Sequence, residues 1–336
     1  MPRRCAYPAR MKITLPLSAL LLIAAPALAR EPKLVLPLSC TLGQNCFIQQ
    51  YVDADPGPGA ADYQCGSLSY DGHSGTDFAL PSMAAMEAGV KVRAAAPGVV
   101  AALRDGMPDL GRAGTPPDEL AAKGCGNGVV VNHGGGWSTQ YCHLKQGSIA
   151  VGKGDRVAMG TPLGLVGYSG NTEFPHVELT VRHNGKTLDP FNMDGVTGCQ
   201  GGDDASDDLW ATPLPYQPGG VIAVSIEAGL PEYEAVKSGA ASHNTLPAAA
   251  PALVGWAYIY GGQKGDQVEI TVIAPDGTEL IRRTEVLEKT QAQLFRAAGK
   301  KQPAEGWTVG NWQVVAQLIR NGKQIDQRIG TVLVGG

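Results

Sequence analysis

The sequence has few charged residues, few aromatic residues and no long apolar segment. Charged side chains make up 17% of the 336 residues and aromatic side chains 6%, whereas 43% are hydrophobic. Such a composition excludes an intrinsically disordered chain and favours well-packed globular structure. The sequence has no heptad pattern, internal repeat or low-complexity tract, and no row of aromatic residues of the kind that would support carbohydrate binding.

The most apolar run, residues 15–27, is too short to span a membrane. It follows Lys12 and ends in an Ala-x-Ala sequence at 27–29, so we expect a signal peptide over residues 1–29, with Met11 as an alternative start. Its removal takes away four basic residues and no acidic one, which moves the formal charge from −4 to −8. We therefore expect an exported, periplasmic or secreted protein, without a transmembrane segment in the mature chain and without nucleic acid as a partner.

The sequence lacks the C-x-x-C spacing of zinc-thiolate sites, although six cysteines follow the leader. An even number in an exported chain is typical of disulfides. Cys125 and Cys142 flank a predicted hairpin and should lie close together across its strands. Cys40 with Cys46 is a plausible local loop, which leaves Cys65 with Cys199. Six cysteines allow fifteen connectivities, so this pairing is a hypothesis.

Glycine and proline are abundant, at 45 and 24 residues, and most separate short apolar runs, which predicts many short strands. We expect an N-terminal extension over 30–64 that is mostly loop, a first domain over 65–197, an acidic linker over 198–220 and an immunoglobulin-like β-sandwich over 221–336. Residues 104–124 are a polar insertion into the first domain. It is either a wall of a substrate groove or a tolerated surface excursion.

Three short motifs in the first domain carry titratable side chains. His73 and Asp77 lie four residues apart in GHSGTDFA, where a loop enters a predicted strand, and His143 lies in YCHL. In FPHVEL the alternation of period two places His176 and Glu178 on one face of a strand. Alone, the first pair is equally explained as a loop histidine hydrogen-bonded to a turn-forming aspartate.

These motifs, with VRAAAPGVV, GNGVVVNHGGGWSTQYCHL and VGKGDRVAMGTPLGLVGYSG, resemble the lysostaphin-type (LytM-type) zinc metallopeptidases in order and mutual distance over residues 71–191. The resemblance implies an antiparallel β-sheet peptidase domain that cleaves peptidoglycan cross-links. It also implies that His73 and Asp77 are ligands of one zinc ion and that His143 and His176 are catalytic. The chain departs from the family at Glu178, where the third ligand is expected to be a histidine.

Glutamate is an accepted zinc ligand, so Glu178 is the predicted third ligand. One histidine with two carboxylates leaves the ion less positive than two histidines with one carboxylate do. The ion then acidifies water less, binds more weakly and is less selective for zinc over other divalent metals. Each residue also has a structural alternative. Glu178 can be a solvated residue, His143 a cap after the hairpin and His176 a buried hydrogen-bonding residue, and we expect His133, His183 and His243 at the surface.

The motifs and the family resemblance predict two alternative functions of different classes. The first is an exported zinc metallo-endopeptidase in which His143 or His176 accepts a proton from water and the other stabilises the oxyanion. The second is a degenerate relative that binds peptidoglycan or activates another cell-wall hydrolase. The enzyme is favoured because only one site position differs from the family. A structural envelope protein that binds through its C-terminal domain is a third possibility. That domain could dock a partner or a wall component, or it could simply cover one side of the groove.

Overall fold

A computed structural model describes residues 1–3, 31–193, 199 and 208–335. The protein is mostly β, with 7% helix and 44% strand. Most of the predicted signal peptide and much of the predicted acidic linker lie outside the described residues. In the described ranges no helix is both long and apolar enough to cross a membrane.

The first half of the chain forms an antiparallel sheet. Its strands are β1 (Phe47–Gln50), β2 (Thr76–Ala79), β4 (Gly98–Arg104), β5 (Asn127–Gly134), β6 (Trp137–Leu144), β7 (Arg156–Val157), β9 (His176–His183) and β10 (Lys186–Leu188). Their order is β1-β2-β9-β6-β5-β4-β7, with β10 paired to β9. A separate two-stranded sheet contains β3 (Lys91–Arg93) and β8 (Pro162–Leu165). The mostly irregular segment before residue 65 contributes the edge strand β1.

The local sequence explains the central hairpin of this sheet. β5 and β6 are joined through Gly134, Gly135 and Gly136, which all have positive φ, the region that glycine adopts without penalty. The alternate residues Val129 and Val131 are fully buried, so one face of the hairpin packs inward. The predicted strands around Pro97-Gly98 are also present, as β3 and β4.

Three short helices belong to this half: α1 (Met83–Glu87), α2 (Gly111–Gly114) and α3 (Pro117–Lys123). Ser82 caps α1 by accepting a hydrogen bond from the Ala85 amide at 3.2 Å. α2 and α3 lie inside the insertion 104–124. Asp109 fixes this insertion to the sheet domain, because its carboxylate accepts hydrogen bonds from the Gln146 and Tyr168 amides.

The second half is a β-sandwich with one helix, α4 (Tyr233–Ser238). Its strands are β11 (Gly220–Glu227), β12 (Thr245–Leu246), β13 (Ala252–Gly262), β14 (Gln267–Ile273), β15 (Glu279–Val286), β16 (Gln291–Lys301), β17 (Gly310–Arg320) and β18 (Lys323–Val334). They form a sheet of order β11-β13-β16 and a sheet of order β12-β18-β17-β14-β15. Buried residues of the two sheets share one core, as a sandwich requires.

The predicted Asp-Gly and Asn-Gly turns join strands of the larger sheet. Asp276-Gly277 lies between β14 and β15, and Asn321-Gly322 connects β17 to β18. Asn321 and Gly322 have φ values of 51° and 75°, the conformation of a tight hairpin turn that follows the strand twist.

The two halves pack against each other. Phe47 of β1 lies 4.5 Å from Tyr260 of β13 between ring centroids, and both side chains belong to the core of the first half. Gln49 donates a hydrogen bond to the Ala292 carbonyl at 3.0 Å and accepts one from Gln293 at 2.9 Å. The start of β16 is thereby held beside β1.

The disulfide prediction is confirmed for all three pairs: Cys40–Cys46, Cys65–Cys199 and Cys125–Cys142. The last pair crosses the β5–β6 hairpin at the end opposite its glycine turn.

Candidate functional site

Strand register brings Asp77 and Glu178 together. β2 and β9 are antiparallel neighbours in which Asp77 lies opposite Glu178 and Ala79 lies opposite His176. Directly paired residues point to the same face of a sheet, so the two carboxylates share a face. Glu178 also packs over the loop before β2, because a side chain at Gly75 would collide with its carboxylate.

His73 approaches this face from the loop before β2. Its Nδ1 lies 2.7 Å from the Tyr51 carbonyl oxygen, and the ring of Tyr70 stacks on it with centroids 4.5 Å apart. Because a carbonyl only accepts, Nδ1 is the donor. The Nε2 atom is then directed at Asp77 Oδ1, 3.3 Å away.

His143 and His176 are held in the same way. His143 Nδ1 lies 2.8 Å from the Ser169 carbonyl oxygen, and His176 Nδ1 lies 2.9 Å from the Phe174 carbonyl oxygen. Both must therefore donate through Nδ1, which in the neutral ring leaves Nε2 with a free lone pair.

The three Nε2 atoms converge on the two carboxylates. His176 Nε2 is 3.5 Å from Asp77 Oδ1, and His143 Nε2 is 3.5 Å from Glu178 Oε2. All three histidines are 4% exposed, so water screens this cluster little. The structure thus assembles every predicted site residue in one largely buried cluster of facing ring nitrogens and carboxylate oxygens.

The cluster moves the pKa values of its members apart. Burial alone would lower the pKa of His73, but the charge of Asp77 outweighs it and raises that pKa to about 9. Burial lowers the pKa of His176 to about 4 against the attraction of Asp77, so His176 is neutral near pH 7. Burial would raise the pKa of Asp77, but the charges of His73 and His176 lower it. Burial would raise the pKa of Glu178, but the hydrogen bond from His143 lowers it.

Two of the three predicted metal ligands have atoms that fit a cation. His73 Nε2 and Asp77 Oδ1 are buried, face each other and have no hydrogen-bond partner. A shared proton or a metal ion can satisfy such a pair, and metal ligation would displace the proton. The Nδ1–H bond to Tyr51 is the kind of outer contact that orients a ligating histidine.

The third predicted ligand, Glu178, lies opposite Asp77 in the sheet, but its carboxylate oxygens contact His143 and Thr180. Within the described parts of the chain, no group of three or more His, Cys, Asp and Glu side chains is arranged to hold a metal ion. Glu178 faces His143 through Oε2 and accepts a hydrogen bond from Thr180 at Oε1, 3.2 Å away. The ligand set of His73, Asp77 and Glu178 therefore stays a prediction.

Four members of the cluster, Asp77, His143, His176 and Glu178, line a groove of about 660 Å³. Arg112 and residues 171–174 line one wall of the groove. Because Arg112 belongs to the insertion 104–124, the insertion borders the site, as expected if it is a wall of the substrate groove. Tyr233 and Lys237 of α4 and the start of β16 line another wall. The sequence allowed the C-terminal domain to cover one side of the groove, but it did not indicate which residues would do so, because nothing in a sandwich sequence specifies which edge meets the first domain.

The remaining histidines lie outside the cluster. His243 is exposed and pairs with Glu227, as a surface histidine would. His133 and His183 are half-buried, so their assignment to the surface was only partly right. His133 bonds to Pro97 and Thr139, and His183 stacks on Trp137.

Residues 71–190 match peptidase family M23. Curated relatives agree: the DD-carboxypeptidase/endopeptidase Mpg of Neisseria meningitidis is 33% identical over 121 residues, which cover 36% of this chain and 22% of the relative. The peptidoglycan DD-endopeptidase ShyA of Vibrio cholerae is 35% identical over 112 residues, which cover 33% of this chain and 20% of the relative. This chain therefore carries a peptidase family M23 domain at residues 71–190, the family suggested by its motifs.

The match is confined to this domain, because the chain spans about a fifth of the length of these relatives. Among solved structures, the catalytic domain of the prophage-encoded M23 protein EnpA of Enterococcus faecalis is similar at 23% identity and a TM-score of 0.32. That similarity covers 46% of this chain and 96% of the EnpA domain.

Proposed function

We propose that this protein is an exported metallo-endopeptidase that hydrolyses peptide cross-links of peptidoglycan. One observation supports the proposal above all others: in an M23 domain, three imidazole Nε2 atoms and two carboxylates converge, and all of these residues except His73 line an open groove. The M23 relatives named as peptidoglycan DD-endopeptidase and DD-carboxypeptidase support the same substrate. A predicted signal peptide and three disulfides favour a periplasmic or secreted location.

In this proposal His73, Asp77 and Glu178 hold one zinc ion or a related divalent metal. Such an ion, when bound, supplies Lewis-acid polarisation of the scissile carbonyl and lowers the pKa of water.

The two other histidines divide the proton chemistry. His176 is neutral near pH 7, and its Nε2 lone pair is open to the groove, so it accepts the proton of the attacking water. His143 Nε2 lies on the same side of the sheet, 3.5 Å from Glu178 Oε2. In this proposal His143 stabilises the developing oxyanion.

The second half of the chain contributes to substrate binding. Its residues Tyr233, Lys237 and Gln293 line the groove opposite the insertion. A peptide strand that enters the site would therefore contact both halves of the protein.

A degenerate factor without turnover is the second candidate, and Glu178 favours it. This residue stands where the family has a histidine as third ligand, and its Oε2 faces His143. Such a factor would bind peptidoglycan or activate another cell-wall hydrolase.

Digestion of purified peptidoglycan sacculi separates the two candidates. The protein is supplied with zinc, its disulfides intact, and the muropeptides are resolved by chromatography with and without a chelator. We expect a chelator-sensitive loss of cross-linked species, and the products identify the bond cut. Unchanged sacculi that nevertheless sediment with the protein would contradict the enzyme and support the binding factor.

Replacement of Glu178 by histidine tests its role as a ligand. If Glu178 is a ligand, Glu178→His should bind zinc more tightly, because it restores a second imidazole to the set. Calorimetric titration with zinc measures this. Glu173→His is the matched control, since Glu173 lines the same groove outside the cluster. Equal zinc affinity of Glu178→His and the unchanged protein would remove Glu178 from the ligand set.

A further inference from the structure

The orientation of His143 depends on a β-bulge. Between β5 and β6, Asn127 pairs with Leu144 and Val129 pairs with Tyr141, so Gly128 faces two residues, Cys142 and His143. One extra residue in a strand bends it and re-aims a side chain. Here the re-aimed side chain is the imidazole of the candidate site.

The register with β9 shows why the bulge is needed. Cys142, and not His143, lies opposite Glu178. Since successive residues of a regular strand point to opposite faces, an unbulged β6 would turn His143 away from Glu178. In the structure His143 Nε2 instead lies 3.5 Å from Glu178 Oε2.

The backbone conformation that achieves this is unfavourable for histidine. His143 has φ of 63°, in the left-handed region that non-glycine residues seldom adopt. Such a residue persists only where its surroundings fix it.

Four bonds hold His143 in this conformation, and two of them involve Cys125. The His143 amide donates to the Cys125 carbonyl at 2.8 Å, and the disulfide joins Cys125 to Cys142, the residue directly before His143. The third is the hydrogen bond from Nδ1 to the Ser169 carbonyl, and the fourth is the hydrogen bond that the His143 carbonyl accepts from the Gly167 amide at 3.0 Å. Gln140 on the same strand points its side-chain amide at both sulfurs, 3.1 and 3.3 Å away.

We propose that the Cys125–Cys142 disulfide is a positioning element for the reaction: it holds the bulge that turns His143 into the groove. The catalytic role of His143 rests on the proposed function. That the disulfide holds the bulge and orients His143 does not. Cys125 directly follows the insertion 104–124, so the segment that borders the groove leads into the anchor of the histidine. Without the covalent link, only the hydrogen bonds to Cys125, Ser169 and Gly167 hold the left-handed conformation.

The test compares two disulfides. The variant Cys125→Ser/Cys142→Ser removes the link beside His143, and Cys40→Ser/Cys46→Ser removes one whose residues do not line the groove. Turnover of cross-linked muropeptides, KM, zinc content and the thermal midpoint are measured for both. A purely structural role would alter stability without a selective effect on kcat.

For Cys125→Ser/Cys142→Ser we expect kcat to fall by about 10- to 100-fold, as for a catalytic group displaced by about 1 Å. We expect KM within a factor of two and unchanged zinc content, because His73, Asp77 and Glu178 lie on other elements. We expect the control variant to keep the kcat of the unchanged protein. A folded Cys125→Ser/Cys142→Ser variant with unchanged kcat would overturn the proposal.

Nitrogen NMR of the histidine rings gives a readout that needs no turnover. The His143 signals are identified by their loss in His143→Ala. In the serine variant we expect the Nδ1–H signal that reports the bond to Ser169 to shift or broaden, while that of His73 stays. If the unchanged protein cleaves no substrate, the proposed function fails by itself. Unaltered His143 signals in the serine variant would then overturn the positioning role independently.

Reduction of the folded protein covers the case in which the serine variant does not fold. A phosphine converts the disulfide to two thiols and, with one water, becomes a phosphine oxide. In the Cys40→Ser/Cys46→Ser background, loss of kcat should follow the reduction of Cys125–Cys142, as mapped by alkylation and mass spectrometry, while circular dichroism stays constant. Full kcat after complete reduction would contradict the proposal.

Discussion

The two halves of this chain treat buried polar groups differently. In the sandwich, the buried Asp266 carboxylate receives two hydrogen bonds from Arg320, at 2.9 and 2.8 Å, and one from the Gln263 amide. Arg320 also donates to the carbonyls of Pro218 and Gly261. In the M23 domain, His73 Nε2 and Asp77 Oδ1 face each other with no hydrogen-bond partner.

This difference distinguishes the His73–Asp77 pair of the candidate site from the Asp266–Arg320 pair, which only stabilises the fold. All the buried side-chain atoms without a hydrogen-bond partner lie in residues 73–210 of the described chain, and the described sandwich strands contain none. A satisfied network stabilises a fold, whereas buried polar atoms without a hydrogen-bond partner beside a groove are expected where a ligand binds. Substitutions in the histidine–carboxylate cluster should therefore affect chemistry, and those of the Asp266–Arg320 pair stability.

The largest expected effect is on turnover. His143→Ala and His176→Ala should each reduce kcat on cross-linked muropeptides by about 10²- to 10⁴-fold, the usual contribution of a general acid or base. Zinc content should stay unchanged, because neither residue is in the predicted ligand set. His243→Ala, which alters an exposed histidine, is the control. Near-native turnover in either site variant would remove that histidine from the mechanism.

The next effect is on the stability of the sandwich. Asp266→Ala leaves the largely buried Arg320 guanidinium without its carboxylate partner, and removal of one partner of a buried pair costs up to about 3–5 kcal/mol. Denaturant unfolding measures this, and kcat of the folded variant should be unchanged. Glu279→Ala removes the partner of an exposed arginine, Arg282, and should leave the unfolding midpoint where it is. A loss of kcat in folded Asp266→Ala would break the division between the two halves.

A third prediction concerns Asp189, a buried carboxyl that resembles the site in having an unsatisfied oxygen, Oδ2. Burial raises its pKa to about 7, so the folded state keeps a proton that the unfolded state releases near pH 4. Stability from this group is therefore present below about pH 4 and is lost as pH rises to about 7, by up to about 1.4 kcal/mol per pH unit.

Asp189→Asn tests this sign because the amide does not titrate. Its unfolding free energy minus that of the unchanged protein should rise between pH 4 and pH 7 and stay level above. Asp276→Asn, in an exposed turn, is the control. A pH-independent difference for Asp189→Asn would show that Asp189 titrates alike in both states.

Much of the fold follows from local sequence. The glycine turn of the β5–β6 hairpin and the Asp-Gly and Asn-Gly turns of the sandwich are short-range features, and the structure contains them. The period-two pattern of FPHVEL also holds, since His176 and Glu178 both reach the cluster.

The parts of the site that sequence did not predict depend on register and on contacts between distant residues. Nothing local indicates that β6 bulges at His143, because the bulge arises from how β5 and β6 pair. Likewise, that Glu178 faces His143 while Asp77 faces His73 and His176 is decided by packing across three strands. Motif spacing identifies the residues, but only the assembled sheet decides which atoms face each other.

The smallest predicted effect tests whether the sandwich also serves the site. Tyr233 is 37% exposed and lines the groove from α4. Tyr233→Ala should raise KM by about two- to tenfold, the equivalent of one aromatic contact, with kcat unchanged. Val286→Ala, which removes an exposed apolar side chain that does not line the groove, is the control and should keep KM constant. If Tyr233→Ala also leaves KM constant, the sandwich borders the groove without binding substrate, and the division between a reactive half and a stabilising half is complete.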